Sequence, residues 1–385
     1  MKGGGSIAAA ADEGDAGGGI EGPPSPKATE VDKSLIGLQI LRGVAATSVV
    51  FDHLFVQVGR WSGIDIAPAY LPTAMGVDIF FVISGFVMMH ASGHMFGKPA
   101  APRRFLLRRI IRIVPLYWMF TSLLVAVLLV TPGVFNTARL DWAHIAASYV
   151  FLPYAAPDGT FEPILSLGWT LNYEMMFYVV FAVSLAFPAR VGRRLVFGGI
   201  AGMVVVGWLL QPAGSTFAFW ARPVVLEFLY GAALSLAFAK LGSRSMPLLP
   251  WLAMAAACVA LAITLTWFDA SDGPGNTLSR SIEWGIAAAG IVALGTLFPP
   301  RIALPKLQNL GARIGDSSYA LYLSHPFVLG AAGLVWRKAI GFALLPPIVG
   351  IALLLVVSLL AAWLIFRWFE TPVLALLKHR LRPYI

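Results

Sequence analysis

The sequence predicts an all-α fold, a polytopic integral membrane bundle of about ten transmembrane helices with both termini cytoplasmic. Three observations carry that prediction. The 385 residues are 58% hydrophobic and only 12% charged, with a mean hydropathy of +0.78, too apolar for a soluble chain of this size. After roughly the first thirty residues, apolar segments of about 18–24 residues recur, the length that a hydrocarbon core of about 30 Å demands. Lysine and arginine collect in alternate connections, about 17 against about six, so the positive-inside rule puts both termini and the basic loops in the cytoplasm.

The net charge of +9 is then a topological signal, and no nucleic-acid partner is expected. The single cysteine, Cys258, lies in an apolar run. It excludes an intramolecular disulfide framework and any cysteine-based metal site, and no metal is expected. No small-residue cleavage pattern adjoins the first apolar segment, which reads as a retained span and not as a signal peptide.

In chain order, residues 1–33 read as a disordered cytoplasmic tail, rich in Gly3 to Gly5, Ala8 to Ala11, Gly17 to Gly19 and the run Pro23-Pro24-Ser25-Pro26. The transmembrane domain follows over 34–372, with spans expected at about 37–57, 73–92, 110–131, 167–187, 195–211, 222–240, 248–268, 281–298, 317–336 and 346–368. Residues 373–385 form a basic cytoplasmic tail. The widest extracytoplasmic connection, about 132–166, carries Trp142, His144, Tyr149, Pro153, Tyr154, Pro157 and Pro163. It suits an interfacial segment covering a site, or equally a plain amphipathic loop.

The first span carries Arg42 and His53. Eleven helical steps amount to about three turns plus about 20°, and a rise of about 16 Å, so the two share one face at two depths. Ionisable groups within a bilayer mark function by default, because each costs about 2.5–3.5 kcal/mol to insert. An equally open reading has Arg42 snorkelling to the inner interface and His53 near the outer one.

Other spans add candidates. The second has Asp78 at its outer end, suited to capping its helix or binding a cation, and a Ser84-Gly85 pair that suits close helix packing. The basic run Arg103-Arg104-x-x-x-Arg108-Arg109-x-x-Arg112 opens the third span, with Arg104, Arg108 and Arg112 one turn apart. It reads as a topogenic cluster beside anionic lipid or as a phosphate cradle, and the depth of Arg112 favours the cradle. Glu174 is an intramembrane carboxylate with Tyr178 one turn away, needing a partner such as His53 or an arginine. Arg222, Glu227 and Glu283 suit structural pairing. In the ninth span Ser318, Tyr322 and His325 share a face beside Tyr319, and Pro326 frees a carbonyl in the preceding turn.

Taken together, Arg42-x10-His53, Phe80-Phe81-Val82-Ile83-Ser84-Gly85-Phe86, the Arg108-Arg109-x-x-Arg112 run with Pro115-Leu116-Tyr117-Trp118, the Glu174 stretch and Ser318-Tyr319-x-x-Tyr322-x-x-His325-Pro326 resemble the membrane-bound acyltransferase-3 family. The resemblance spans about residues 36–372 and includes the closing Phe369-Glu370-Thr371-Pro372. Within the family, Gly168-Trp169-Thr170-Leu171-Asn172-Tyr173-Glu174-Met175 is similar to the bacterial exopolysaccharide O-acetyltransferase branch, of the succinoglycan type. Many relatives have two adjacent acids where this chain has Glu174-Met175, so a mechanism needing both does not carry over.

The resemblance implies an enzyme of the bacterial inner membrane. It would transfer an acyl group, usually acetyl, from cytoplasmic acyl-CoA to a hydroxyl of a cell-envelope glycan or lipid-linked oligosaccharide. The family's motif histidine maps to His53, its motif arginine to Arg42, and its donor side to Arg103, Arg104, Arg108, Arg109 and Arg112. His53 is then the expected general base, and Glu174 a better orienting partner than Asp52, which points about 100° away on the same helix. Asp52, Asp78, Tyr178, Tyr319, Tyr322 and His325 are expected to support the site or bind substrate. Direct transfer and an acyl-histidine intermediate both stay open.

Two alternatives stand beside this expectation. Buried ionisable groups in a helix bundle also suit a secondary transporter of lipid-linked sugar or small anions, although the paired, interrupted helices of such transporters are not evident. The same enzyme class also admits a non-glycan acceptor.

Overall fold

The computed structural model describes residues 26–63, 73–131, 140–156, 159–210, 214–268, 278–301, 305–335 and 346–385. Among them the chain is helical, and its only extended pairing is an isolated bridge between Met246 and Pro300. The helices are α1 (Pro26–Ser62), α2 (Gly76–Ser92), α3 (Ala101–Val130), α4 (Trp142–Tyr149), α5 (Trp169–Leu185), α6 (Ala189–Leu210), α7 (Thr216–Trp220), α8 (Leu226–Leu241), α9 (Leu248–Phe268), α10 (Leu278–Thr296), α11 (Pro305–Asp316), α12 (Ser318–Val335), α13 (Pro347–Ile365) and α14 (Thr371–Leu381).

Every expected span falls on a helix, and several of these helices are long and apolar enough to cross a membrane by length and composition. Six qualify among the described residues: Thr73–Met95, Ala101–Val130, Ala189–Leu210, Pro223–Leu241, Ser318–Val335 and Pro347–Tyr384. Leu248–Thr264 and Ser281–Thr296 are shorter apolar helices. α1 and α5 fall outside both groups. α1 carries Gln39, Arg42, Asp52 and His53, and the 17 residues of α5 include Asn172 and Glu174. The side chains that make these helices candidates for chemistry also lower their apolarity.

α1 starts at Pro26, inside the stretch read as a disordered tail, while residues 1–25 lie outside the described residues. The basic C-terminal stretch is helical through Leu381 and ends in a 3-10 turn over Arg382–Tyr384.

α1 sits at the centre of one side of the bundle and packs against α2, α10, α11, α12 and α13. It buries Leu38, Leu41, Ala45, Ala46, Val49, Val50 and Leu54. Two close approaches set the geometry around it. A Cβ on Gly315, at the end of α11, would lie 1.8 Å from the carbonyl oxygen of Gln39, so the two backbones touch there. On α2 and α8, the most extensively packed pair, a Cβ on Gly85 would lie 1.9 Å from the Phe228 oxygen, and one on Gly231 would lie 1.8 Å from the Val82 oxygen. Small residues allow such contact between helices in lipid, where dispersion rather than the hydrophobic effect holds helices together. Phe228 stacks on Phe177 at 4.5 Å and lies 4.7 Å from Phe81, joining α8 to α5 and α2.

The connection between α3 and α5 is packed on α3. Asp141 caps α4 by accepting from the backbone N–H groups of Ala143 (2.9 Å) and His144 (3.3 Å). The Tyr117 hydroxyl donates to the Ser148 carbonyl at 3.2 Å, and Trp118 Nε1 to the Tyr149 carbonyl at 2.9 Å. Part of the 132–166 connection, expected as a cover or a plain loop, is therefore an anchored segment.

Overpacking ordinarily costs about 1–3 kcal/mol, and Gly85→Leu should cost more because the new Cβ meets backbone and not a mobile side chain. Gly198→Ala, with nothing within 4 Å of its Cβ, should leave stability unchanged. Thermal denaturation of the detergent-purified variants, followed by fluorescence-detected size exclusion, checks both outcomes.

Candidate active site

Helices α1, α2, α3, α5 and α12 enclose a cavity of about 170 Å³. Arg42, Arg109, Arg112 and Glu174 supply its charged lining, Tyr178, Tyr319 and Tyr322 its hydroxyls, and Phe80 and Phe81 an apolar wall. Arg42 Nη1 donates to Gln39 Oε1 one turn earlier, at 3.0 Å. The backbone of Gln39 is the one that Gly315 contacts, so the packing of α11 on α1 braces the residue that orients this guanidinium.

Eleven residues along α1, His53 lies outside the cavity lining and meets His325 of α12. His53 Nδ1 is 3.2 Å from His325 Nε2, and the rings meet edge-on at 67° with centroids 4.9 Å apart. His325 is fully buried, and its Nδ1 lies 3.0 Å from the Leu321 carbonyl oxygen. Pro326 has no N–H for the carbonyl of Tyr322, which loosens hydrogen bonding in the turn that presents His325. The Tyr322 ring lies 6.3 Å from His325 and is also part of the cavity wall, so it adjoins both the histidine pair and the cavity.

The expected pairing of Glu174 with His53 is not the one formed. Glu174 accepts from Ser84 Oγ at 2.9 Å and from the Tyr178 hydroxyl. α5 turns Glu174 toward α2 and into the cavity, whereas His53 faces α12 further along α1. The Ser84-Gly85 pair divides its work accordingly: Gly85 permits the α8 contact and Ser84 donates to Glu174.

The five arginines separate by face. Arg103, Arg104 and Arg108 are exposed and outside the cavity lining, while Arg109 and Arg112 are half-buried and line it. The cavity-facing pair therefore has i, i+3 spacing, not the i, i+4 row expected from Arg104, Arg108 and Arg112. Arg109 lies over the rings of Phe105 (5.5 Å) and Tyr178 (5.9 Å), and Arg103 over Tyr384 (5.0 Å). Arg112 Nη1 pairs with Glu370 Oε1 at 2.5 Å.

Glu370, in the Phe369-Glu370-Thr371-Pro372 stretch, carries no expected role in the sequence and is the acid that meets Arg112. Its signal was a lone acid just after the last apolar span, among basic residues. It ends a π-helical stretch, Phe366–Glu370, between α13 and α14, the kind of local insertion that re-aims a side chain.

The remaining candidates hold the frame. Asp52 accepts from Thr73 Oγ1 at 2.6 Å, and Ser48 Oγ donates to the Thr73 carbonyl at 2.6 Å, tying α1 to the turn before α2. Asp78 is fully buried in the first turn of α2. The Tyr319 hydroxyl donates to the Ile113 carbonyl at 2.8 Å, and that of Tyr322 lies 3.0 Å from both Thr170 Oγ1 and the Leu167 carbonyl. Arg222 sits over Phe219 at 4.9 Å, and Glu227 is buried at the start of α8; neither lines the cavity.

Long apolar helices around an arginine- and carboxylate-lined cavity, with a histidine pair beside it, define an integral membrane helical protein with a charged interior site. The chain belongs to the acyltransferase-3 family, whose model, described as an acyltransferase domain, matches residues 35–367. It is 34% identical over 265 residues to the exopolysaccharide production protein ExoZ of Rhizobium meliloti (strain 1021), covering 68% of this chain and 79% of that one. It is 30% identical over 353 residues to the putative membrane-bound transacylase BcsY of Komagataeibacter xylinus, covering 85% and 81%. It is 26% identical over 379 residues to the putative peptidoglycan O-acetyltransferase YrhL of Bacillus subtilis (strain 168), covering 90% of this chain and 56% of that one. No solved structure matches the chain.

Removing one partner of the Arg112–Glu370 pair should destabilise more than removing both. Glu370→Ala is expected to cost about 2 kcal/mol, below the full value for a buried pair because Arg112 remains 31% exposed. Arg112→Met with Glu370→Met should recover most of that loss. Melting temperatures of the two single variants and the double variant measure the coupling.

Proposed function

We propose that this protein is an O-acyltransferase of the bacterial inner membrane. It moves an acyl group, typically acetyl, from cytoplasmic acyl-CoA to a hydroxyl of a cell-envelope glycan or lipid-linked oligosaccharide. One observation carries the reading: Arg42, Arg109, Arg112 and Glu174 line a single cavity that is one tyrosine removed from the His53–His325 pair. The likeness to ExoZ supports an exopolysaccharide acceptor, and the likeness to YrhL supports peptidoglycan as the second reading.

The donor brings phosphates and a thioester, and the chain has a counterpart for each. Arg109 and Arg112 are the half-buried forks suited to phosphate oxygens, with exposed Arg103, Arg104 and Arg108 as an outer basic surface. With both termini in the cytoplasm, that surface is on the donor side. The thioester arm extends along the cavity with Arg42 on its wall, toward His53 about 16 Å further along α1. His53 Nε2 takes the acceptor hydroxyl proton while the hydroxyl oxygen attacks the thioester carbonyl. The C–S bond then breaks, the sulfur leaves with the proton from His53, and the products are an ester and a free thiol. Glu174, held by Ser84 and Tyr178, serves as a fixed negative charge among the cavity arginines. Tyr178, Tyr319 and Tyr322 shape the passage, Asp52 steadies α1, and Asp78 braces the start of α2.

His53→Ala should lower thioester consumption and glycan acetylation together by about 10²–10⁴-fold at equal folded protein. Arg42→Ala should also lose both activities. In purified wild-type protein, acetyl-CoA should raise the melting temperature and acetate should not, and Arg109→Ala with Arg112→Ala should abolish the shift. A transporter of lipid-linked sugar would retain its function in His53→Ala membranes with no thioester consumed, and that result would sink the proposal.

A further inference from the structure

The two histidine rings and one backbone carbonyl determine where the protons must lie. Leu321 O is only an acceptor, so the 3.0 Å contact requires His325 Nδ1 to carry the hydrogen. A neutral His325 protonated at Nδ1 presents Nε2 as an acceptor, and the group opposite it is His53 Nδ1 at 3.2 Å. His53 Nδ1 must then donate, which leaves its Nε2 with a free lone pair. Among the described residues, no carboxylate is hydrogen-bonded to either ring, and Asp52, the chain neighbour of His53, accepts from Thr73 instead. The 67° edge-on arrangement suits a bond between ring-edge nitrogens and not stacking.

We infer that His325 is a positioning residue that holds His53 in the tautomer protonated at Nδ1, with Nε2 basic and turned away from α12 toward the acceptor. The order is Leu321 carbonyl, His325 Nδ1–H, His325 Nε2, His53 Nδ1–H, His53 Nε2. An imidazole anchored to the backbone thereby fills the place that a carboxylate takes in the serine hydrolase triads. Glu174 does not fill it, because its hydrogen bonds go to Ser84 and Tyr178. When His53 accepts the hydroxyl proton at Nε2, its Nδ1–H bond to His325 strengthens, and the proton leaves again with the sulfur. No proton needs to pass to His325. Full burial of His325 and the packing of α12 on α1 fix the ring in place. This inference rests on His53 acting as the base.

The experiment uses the full-length protein in bilayers with acetyl-CoA as donor. His325→Leu fills the site but removes the acceptor nitrogen, whereas His325→Gln returns an amide oxygen near the position of Nε2. His325→Leu should lower kcat by about 100-fold and leave both KM values within about twofold. His325→Gln should recover about tenfold of that loss. Nitrogen NMR of histidine-labelled protein, with His53→Gln assigning the resonance by difference, should show a pyrrole-type Nδ1 and a pyridine-type Nε2 for His53. In His325→Leu that signal should become a tautomer mixture.

The inference is overturned if His325→Leu keeps its kcat, if its loss lies in KM, or if wild-type His53 carries its proton on Nε2. Should His53→Ala keep full transfer activity, His53 is not the base and the catalytic half of the inference falls with it. The NMR readout needs no turnover, so it still decides whether His325 sets the tautomer. If His325→Leu fails to accumulate as folded protein, His325→Gln and the wild-type spectrum decide the matter.

Discussion

Ionisable and hydrogen-bonding groups among apolar helices must be met by other protein groups, since leaving them unmatched costs several kcal/mol each. That constraint organises the bundle around α1. Arg42 is met by Gln39 and opens onto a cavity that also holds Glu174, while Asp52 is met by Thr73 and His53 by His325. The partners come from α1 itself, the turn before α2, and α12. Meeting those groups therefore helps define which helices pack on α1, and glycine contacts such as Gly315 on Gln39 allow the required approach.

The same constraint divides the interior into two environments. One is charged: Arg42, Arg109 and Arg112 with Glu174 line the cavity, and Glu370 pairs with Arg112. The other holds the two imidazoles of His53 and His325, outside the cavity lining, with the Tyr322 ring 6.3 Å from His325. Arg42 faces the cavity, whereas His53 meets His325 further along the same helix. About 16 Å of helix between Arg42 and His53 keeps them apart on one rigid rod.

Much of this was legible in the residues themselves. The apolar segments located every long helix, because a long apolar run is a property of one segment of sequence. Helical periodicity put Arg42 and His53 on one face and grouped Ser318, Tyr322 and His325, because i, i+3 and i+4 relations are local. The stretches Gly168 to Met175 and Ser318 to Pro326, with the Arg42 and His53 spacing, led to the family that the chain belongs to. Less was legible for the arginine run, where Arg109 and not Arg108 turns inward. The rotation of a helix about its own axis is set by what packs against it, here α5, α12 and α14.

The amino-acid sequence alone determined the helical class, the helix positions, the family, and which side chains of each helix share a face. These follow from composition and from a repeat of 3.6 residues, both properties of a single segment. Tertiary structure decided the partners: His325 and not Glu174 for His53, Ser84 and Tyr178 for Glu174, and Glu370 for Arg112 across 258 residues of chain. Partner choice depends on the rotation and depth of two helices at once. That information arises only when their surfaces have packed.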